Sequence, residues 1–207
     1  MNFSPMVPVE HYFKNYDTRQ RFNSYWNQIN EVLKTNPERV LEIGPGNKTV
    51  AGYLKNQGVD ITTVDIDKGL NPDCVCSITE LSKHFKESYF DTVLCAEVLE
   101  HIPFEYVEKA LTELHYVCRE FLIVSLPDSR ISLMAMLQVP IIGMKKIALK
   151  VPFPVKHRFN GEHYWEIGKS GYSLARINRI LEKKFIIAKS YNSPENMYHL
   201  FIVLKKR

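Results

Sequence analysis

One short stretch limits the fold more than any other part of the chain. Residues 39–47 are Arg-Val-Leu-Glu-Ile-Gly-Pro-Gly-Asn, an apolar run followed by two glycines spaced two apart. The run is too short for a helix and is bounded by glycine, so it predicts a buried parallel strand. After it, Val50, Ala51 and Leu54 recur with helical spacing. The stretch therefore predicts a strand–loop–helix unit, whose backbone amides and helix N-terminus can bind a ligand above the strand.

A second predicted strand follows at the right distance. Residues 59–65 are apolar and β-branched and end in Asp65, which lies 21 residues after Gly44. At this separation an acid on the second strand of a βαβ unit can accept hydrogen bonds from ribose hydroxyls. An isolated Gly-x-Gly is often an ordinary turn, but strand, loop, helix, strand and acid in this order favour a nucleoside-binding unit.

The loop also indicates which nucleoside it binds. A dinucleotide fingerprint requires a third glycine at the position of Thr49. Instead, the acid Glu42 stands two residues before the first glycine, where it would repel a diphosphate and attract a cationic ligand. The acid-x-Gly-x-Gly loop of Glu42, Gly44 and Gly46, with Asp65 ending the second strand, resembles class I S-adenosylmethionine-dependent methyltransferases of the type 11 kind.

The resemblance implies a fold, an activity and a cofactor site. The expected fold is α/β: a Rossmann-like, doubly wound, seven-stranded sheet, mostly parallel with an antiparallel C-terminal strand and helices on both faces. The expected cofactor is S-adenosyl-L-methionine. Many relatives have an acid near the position of Ser77 for the adenine amino group, so this contact is in doubt here. The residues expected to bind the cofactor are Glu42, Gly44, Pro45, Gly46, Asp65, Ile66, Ser77, Ile78, Ala96 and Glu97.

Composition is consistent with one domain over residues 1–207. Hydrophobic residues make up 45% and charged residues 24%, as in soluble globular proteins. The four cysteines form no Cys-x-x-Cys pair and no signal peptide is apparent, so reduced thiols and a cytoplasmic location are expected.

Residues 1–36 are expected to form an N-terminal helical arm. Asp17 or Thr18 can cap a helix. Tyr12 and Tyr16, in the aromatic segment before it, are candidates for a lid over the cofactor. The apolar positions that we expect to face the protein have helical spacing: Phe22, Tyr25, Trp26, Ile29, Val32 and Leu33.

Residues 128–160 interrupt the alternation of strands and helices. The segment 131–149 is strongly apolar but is interrupted by polar residues, proline and glycine, so it does not suit a membrane span. It predicts an inserted cap over the substrate site or, less favoured, a patch that touches a membrane or a partner. Charge is also unevenly distributed: residues 1–139 carry 13 basic and 19 acidic side chains, and residues 140–207 carry 14 and 4. The basic C-terminal third is compatible with an anionic partner, nucleic acid included, and also with an ordinary solvated surface.

Acid and imidazole groups follow the predicted fourth strand. If a helical turn begins at Glu97, then Glu97, Glu100 and His101 share one face. The pattern resembles two metal-dependent branches of the family: small-RNA 3′-terminal 2′-O-methyltransferases and ubiquinone-pathway O-methyltransferases. In the RNA branch a further histidine lies in a His-x-aromatic-Glu segment, which His163 to Glu166 matches. The resemblance implies a Mg²⁺ or Mn²⁺ site of Glu97, Glu100, His101 and His163. The alternative is a metal-free scaffold.

The expected reaction is an in-line displacement at the sulfonium methyl group. A base near an O or N acceptor would assist it, and His101, His163 and Glu166 are the candidates. No Asn/Asp-Pro-Pro-Tyr motif or nucleic-acid module is recognisable, which favours a small-molecule acceptor. A metal-assisted RNA or quinone-precursor O-methyltransferase and a non-catalytic S-adenosylmethionine-binding protein remain alternatives.

Overall fold

The chain alternates strands and helices around one large sheet. The computed structural model describes residues 4–14, 16–141 and 143–207. Short 3-10 helices lie in the connections, at Val9–Phe13, Lys68–Leu70, Leu81–Lys83, Leu99–His101 and Phe104–Tyr106. The longer elements are α1 Arg19–Lys34, β1 Arg39–Ile43, α2 Thr49–Asn56, β2 Asp60–Asp65, β3 Cys74–Val75, β4 Phe90–Ala96, α3 Val107–Val117, β5 Cys118–Pro127, β6 Ile131–Val139, β7 Gly143–Val151, α4 Leu174–Leu181, β8 Phe185–Ser193 and β9 Asn196–Lys206.

The main sheet has seven strands in the order β3-β2-β1-β4-β5-β9-β8. Strands β1 to β5 pair in parallel, whereas β9 runs antiparallel to both β5 and β8. The predicted fold class, a mostly parallel Rossmann-like sheet with an antiparallel C-terminal strand, is therefore confirmed. The strand order changes direction at β1, which lies between β2 and β4. Ligands of such sheets bind at this switch point, beyond the carboxyl ends of the strands.

Strand register brings the sequence motifs to one edge of the sheet. Ile43, the last residue of β1, lies beside Val64 of β2 and Cys95 of β4. The residues that follow, Gly44, Asp65 and Ala96, therefore emerge together. The Gly44 amide donates a 2.8 Å hydrogen bond to the Val64 carbonyl, which fixes the start of the glycine loop against β2.

Helix α1 buries a different face from the one predicted. Thr18 caps it, and its hydroxyl accepts a hydrogen bond from the Arg21 amide. Phe22, Trp26 and Leu33 are exposed by 55%, 60% and 39%, so the inward orientation predicted for them is wrong. The buried positions of the helix are mostly polar: Ser24, Tyr25, Asn27, Gln28, Glu31 and Val32.

Two of the buried polar groups of α1, Asn27 and Glu31, have partners on β8, which explains the orientation of the helix. The Tyr191 hydroxyl donates to Asn27 Oδ1 and Glu31 Oε1 at 3.1 Å each. Lys189 Nζ lies 2.8 Å from the same Glu31 oxygen. Buried polar groups are tolerated when they are hydrogen-bonded, and a periodicity count of apolar residues does not detect such partners.

Residues 131–151 form a β-hairpin outside the main sheet. Strands β6 and β7 make a separate two-stranded antiparallel sheet. Asp128 before the hairpin bridges to Ile167 after it, so the hairpin leaves and rejoins the fold at the carboxyl end of β5. Within the described residues, no helix is long and apolar enough to cross a membrane.

Candidate active site

A cavity of about 300 Å³ lies at the switch point of the sheet. Its floor is formed by the carboxyl ends of β1, β2 and β4, and its upper wall by the N-terminal arm. No described residue of the 128–160 segment lines it, so the cap assigned to that segment stays a prediction. The cavity is lined by all ten residues that the sequence predicted to contact the cofactor: Glu42, Gly44, Pro45, Gly46, Asp65, Ile66, Ser77, Ile78, Ala96 and Glu97.

The loop after β1 requires its two glycines. Gly44 and Gly46 have φ angles of +70° and +52°, in the left-handed region that disfavours residues with a Cβ. A Cβ on Gly44 would lie 2.6 Å from Val98 Cγ2, and one on Gly46 would lie 3.2 Å from Tyr12 Cδ1. The loop is therefore packed against the end of β4 on one side and against the N-terminal arm on the other.

Glu42 presents a buried acid to this cavity. Glu42 is only 4% exposed, and its Oε2 atom accepts no hydrogen bond from the described residues. Burial raises the pKa of Glu42 to about 8, despite a hydrogen bond from the Ala51 amide. An isolated carboxyl in such a place is best stabilised by a cationic ligand. S-adenosylmethionine carries a sulfonium and an ammonium group, so the site fits the cofactor that the loop motif implied.

Asp65 and Ser77 stand where ribose and adenine groups are expected. Burial raises the pKa of Asp65, and one carboxylate oxygen accepts a 2.8 Å hydrogen bond from the Asp67 amide. The Ser77 hydroxyl is paired with the Thr79 hydroxyl at 2.9 Å and also accepts from the Thr79 amide. Ser77 therefore serves a local turn, while the buried Ile78 supplies an apolar wall.

The N-terminal arm covers the cavity. Tyr12 and Tyr16, the predicted lid residues, both line it, and their ring centroids are 5.2 Å apart. His11 contacts both rings edge-on. Burial raises the pKa of both tyrosines, so their hydroxyls stay neutral near pH 7. The three rings form one aromatic cluster over the glycine loop.

The segment after β4 departs from the predicted helical turn. Glu97 has φ of +53°, and only Leu99–His101 form a 3-10 turn, so Glu97 is not on one helical face with Glu100 and His101. That part of the prediction is wrong, because a left-handed residue cannot continue a right-handed turn. The Glu97 carboxylate instead accepts a 2.8 Å hydrogen bond from the Ser125 hydroxyl on β5.

Glu100, His101 and His163 come together beside the cavity. Their potential ligand atoms all lie within 4.8 Å of one another. Glu100 is fully buried, and neither of its carboxylate oxygens has a hydrogen-bond partner among the described residues. Burial, and then the neighbouring Glu97 carboxylate, raises the pKa of Glu100 well above its usual range. An acid left without partners in this way is a site that a cation would stabilise.

Both histidines are oriented by hydrogen bonds at Nδ1. His101 Nδ1 donates to the Glu162 carbonyl at 3.0 Å, and His163 Nδ1 donates to Glu166 Oε1 at 2.9 Å. This arrangement leaves Nε2 of each ring as the atom with a free lone pair. His101 Nε2 lies 3.9 Å from Glu100 Oε1. Burial, and then the proximity of His163, lowers the pKa of His101, so its ring is neutral at pH 7.

Glu166 lies behind His163 and does not line the cavity. Its Oε1 accepts hydrogen bonds from both His163 and the Tyr198 hydroxyl, the latter at 3.0 Å. Burial alone would raise the pKa of Glu166, but these two hydrogen bonds outweigh burial and lower it. A carboxylate engaged in this way can orient His163 but cannot itself reach a bound acceptor.

His199 also lines the cavity, although no sequence motif predicts a functional role for it. Its Nδ1 is 2.5 Å from the Ser24 hydroxyl of α1, and its Nε2 is 3.5 Å from the Glu97 carboxylate. Burial lowers the pKa of His199. The residue is placed by pairing of β9 with the end of β5, where His199 lies opposite Pro127. Only that long-range pairing brings it to the site, and no local motif marks it.

The fold is Rossmann-like, and its cavity lies at the switch point of the sheet, where ligands of such folds bind. Residues 41–121 match the family model of a methyltransferase domain. This part of the chain, which contains the glycine loop, Asp65 and strand β4, is therefore similar to methyltransferase domains.

Solved structures of low sequence identity share the fold. One is the 1,6-didemethyltoxoflavin-N1-methyltransferase of Burkholderia thailandensis, with its substrate and S-adenosylhomocysteine bound: 15% identity, 96% of this chain and 84% of that chain covered, TM-score 0.66. Another is the N-methyltransferase NodS of Bradyrhizobium japonicum, in complex with S-adenosylhomocysteine. It is 11% identical to this chain, the match covers 96% of both chains, and the TM-score is 0.61. A third is magnesium protoporphyrin IX methyltransferase of Synechocystis, also with bound S-adenosylhomocysteine. It is 14% identical to this chain, the match covers 91% of this chain and 84% of that chain, and the TM-score is 0.62. No curated protein sequence matches the chain.

Proposed function

We propose that the protein transfers a methyl group from S-adenosylmethionine to an O or N atom of a small-molecule acceptor. The observation that carries this proposal is the cavity itself, with an unpartnered acid at the glycine loop and two oriented histidines at its other end. The toxoflavin precursor and magnesium protoporphyrin IX named for the structural neighbours are small molecules, which supports this class of acceptor.

The bound cofactor would supply a methyl group already activated by the sulfonium charge, so the protein needs mainly to align the acceptor and exclude water. The loop glycines let the backbone approach the ligand, and Glu42 offers a carboxylate to its positive charge. In this proposal, Asp65 would accept hydrogen bonds from the ribose, and Ile78 would pack against the base. Tyr12 and Tyr16 close the arm over the site and keep water out.

His101 and His163 are the candidates to take a proton from the acceptor. Both line the cavity, and each has Nδ1 engaged, so Nε2 can accept a proton from a hydroxyl or amine. The lowered pKa of His101 keeps it in the neutral, proton-accepting form at pH 7. Glu166 acts as a positioning residue, because its carboxylate fixes the tautomer of His163.

The test is calorimetric binding of S-adenosylhomocysteine, followed by a screen of acceptors read as formation of S-adenosylhomocysteine. Binding that Asp65→Ala weakens at least tenfold, with Asp60→Ala of the same strand as the control, would support the cofactor site. Turnover with a small hydroxyl or amine acceptor would support the reaction. Tight binding without turnover on any acceptor would instead favour a non-catalytic binding protein, and absence of binding would contradict the proposal.

A specific observation favours a second, metal-assisted version of this function. Glu100, His101 and His163 converge, and both histidines donate Nδ1–H to an oxygen acceptor. Metal-binding histidines almost always have such a carbonyl or carboxylate partner, which leaves Nε2 for the ion. A divalent ion here would supply charge to polarise an acceptor hydroxyl. Glu97, also expected as a ligand, lies next to Glu100 but is bonded to Ser125.

Direct metal binding separates the two versions. Titration with Mn²⁺, followed by electron paramagnetic resonance, should show one bound ion that Glu100→Gln weakens at least tenfold. Glu120→Gln, a change of the same kind at a solvent-exposed ion pair with Lys205, should leave it unchanged. Binding of S-adenosylhomocysteine should persist in both variants. If wild-type protein binds no Mn²⁺, the metal-free version with a histidine base is the one that stands.

A further inference from the structure

The hairpin of β6 and β7 presents an apolar face to solvent. Side chains alternate between the two faces of a strand, and Ile131 pairs with Val151 and Leu133 with Leu149. The outer face, as we call it, therefore has these four residues with Leu137 and Ile147. All six side chains are exposed: Ile131 by 46%, Leu133 by 59%, Leu137 by 65%, Ile147 by 72%, Leu149 by 58% and Val151 by 37%. A contiguous apolar surface of this kind marks an interaction site.

Two methionines of the opposite face, Met134 and Met136, are 42% and 57% exposed. Met134 and Met136 line a shallow depression together with the first turns of α1 and the turn between β8 and β9. The opposite face therefore borders α1 across this depression and stays partly exposed, whereas no residue of the outer face lines the depression. At the end of the hairpin, Ile141 is fully exposed.

The charged residues within the hairpin segment itself all have the same sign. Residues 129–161 contain six lysines and arginines and no aspartate or glutamate. Arg130 and Lys150 form ion pairs with Asp128 at the base of the hairpin, at 2.7 Å and 3.4 Å. The sequence places two more lysines, 145 and 146, on β7, and Lys156 and Arg158 are exposed just beyond it.

We infer that the outer face docks on an anionic lipid bilayer. Apolar side chains enter the boundary between headgroups and acyl chains, while neighbouring lysines and arginines attract anionic headgroups. A two-stranded hairpin has unpaired edges, so it cannot cross the hydrocarbon core and must lie in the interfacial layer. A second copy of the chain fits less well, because a two-fold contact would bring the same basic segment against itself. The inference does not depend on which acceptor is methylated.

Flotation of the full-length protein with vesicles tests this. Phosphatidylcholine vesicles containing phosphatidylglycerol should carry the protein upward in a density gradient, and pure phosphatidylcholine should carry at least tenfold less. Leu137→Glu combined with Ile147→Glu should abolish flotation. The matched control is Val75→Glu, an exposed apolar residue on edge strand β3, which should float like wild type. Lys156→Gln with Arg158→Gln should lower the affinity by about fivefold per charge.

Binding of S-adenosylhomocysteine by each variant reports that the fold is retained and keeps this test separate from that of the methyltransferase reaction. The inference is overturned if wild type fails to float with anionic vesicles, or if the double glutamate variant floats as well as wild type. Equal flotation with neutral and anionic vesicles would also overturn it. If light scattering shows a dimer that the glutamate substitutions dissociate, and no flotation is seen, the outer face belongs to a second copy instead.

Discussion

If the proposed function is right, Glu42 should make cofactor binding depend on protons. In the cofactor-free protein, burial raises the pKa of this acid from 4.5 to about 8, so it is mainly protonated at pH 7. A cation placed beside it favours the carboxylate and lowers the pKa again. We therefore predict that binding of S-adenosylhomocysteine at pH 7 releases close to one proton. Calorimetry in buffers of different ionisation enthalpy measures that number, and Glu42→Gln should remove it while weakening binding about tenfold.

The same acid predicts how stability changes with pH. Between pH 4.5 and about 8 the native state holds a proton that the unfolded state has lost, so the unfolding free energy of the cofactor-free protein falls as pH rises through this window. Each pKa unit corresponds to about 1.4 kcal/mol, so the contribution is on the order of a few kcal/mol. Because burial also raises the pKa of Asp65 and Glu100, the difference between wild type and Glu42→Gln isolates this residue. A parallel pH profile in the two proteins would contradict the assignment.

Gly44 and Gly52 form a matched pair for testing the loop. Gly44→Ala should lower the melting temperature and weaken S-adenosylhomocysteine binding at least tenfold, because the new methyl would lie 2.6 Å from Val98 at a left-handed φ. Gly52 lies inside α2, and nothing is within 4 Å of the position of its Cβ. Gly52→Ala should stabilise the helix by about 0.5–1 kcal/mol and leave binding unchanged. Thermal unfolding and calorimetry measure both effects, and equal effects at the two glycines would contradict the role given to the loop.

The residues that the sequence located are those whose chemistry is encoded locally. Glu42, the loop glycines and Asp65 are recognisable because strand, turn and acid follow each other within a single βαβ unit. His199 and Tyr198 are not recognisable in this way, since only the pairing of β9 with β5 brings them to the cavity. Glu97 was misplaced within its turn because its left-handed conformation, held by Ser125, is not apparent from spacing.

Among the elements, the N-terminal arm is expected to hold the cofactor in place. Tyr12 packs against the glycine loop and lines the cavity, whereas its neighbour Phe13 is 63% exposed. Tyr12→Ala should speed dissociation of S-adenosylhomocysteine about tenfold, because it removes a largely buried aromatic ring from the wall. Phe13→Ala, on the same short helix, should have little effect. Stopped-flow dissociation rates make the comparison, and equal rates for Tyr12→Ala and wild type would show that the arm is not a lid.

Helix α1 shows what element prediction from one sequence misses. The spacing of apolar residues and the capping residue Thr18 predict that the helix exists and where it begins. They also predict that Tyr25 and Val32 face inward. The outward position of Phe22 and Trp26 is not predicted in this way, because it results from hydrogen bonds between the polar face of the helix and β8. The predicted sheet, by contrast, is confirmed. It was predictable because each strand of its parallel part is an apolar run that ends in a turn.

At the scale of the molecule, the acidic and basic parts of the sequence meet in space. Lysines of the basic C-terminal third pair with acids of the first 139 residues: Lys150 with Asp128, Lys183 with Glu108, Lys189 with Glu31 and Lys205 with Glu120. The two pairs that are exposed on both sides, Lys183 with Glu108 and Lys205 with Glu120, add little stability. All four pairs reduce the positive field that the sequence difference of −6 against +10 suggests. Four of the other basic residues, Lys145, Lys146, Lys156 and Arg158, lie in or just after the hairpin in the sequence.

This charge distribution predicts different behaviour toward soluble polyanions and toward vesicles. A nucleic-acid ligand would be held by charge alone, so its affinity should fall steeply with salt, and we expect no retention on immobilised RNA at about 150 mM salt. Docking of the outer face adds burial of apolar side chains, which salt does not screen, so flotation with anionic vesicles should persist at that ionic strength. Column retention and flotation in the same buffers make the comparison. The protein could instead be retained on RNA at this salt concentration, and the Leu137→Glu, Ile147→Glu variant could be retained equally well. That result would identify a nucleic-acid surface elsewhere on the protein. It would favour an RNA acceptor over a small molecule.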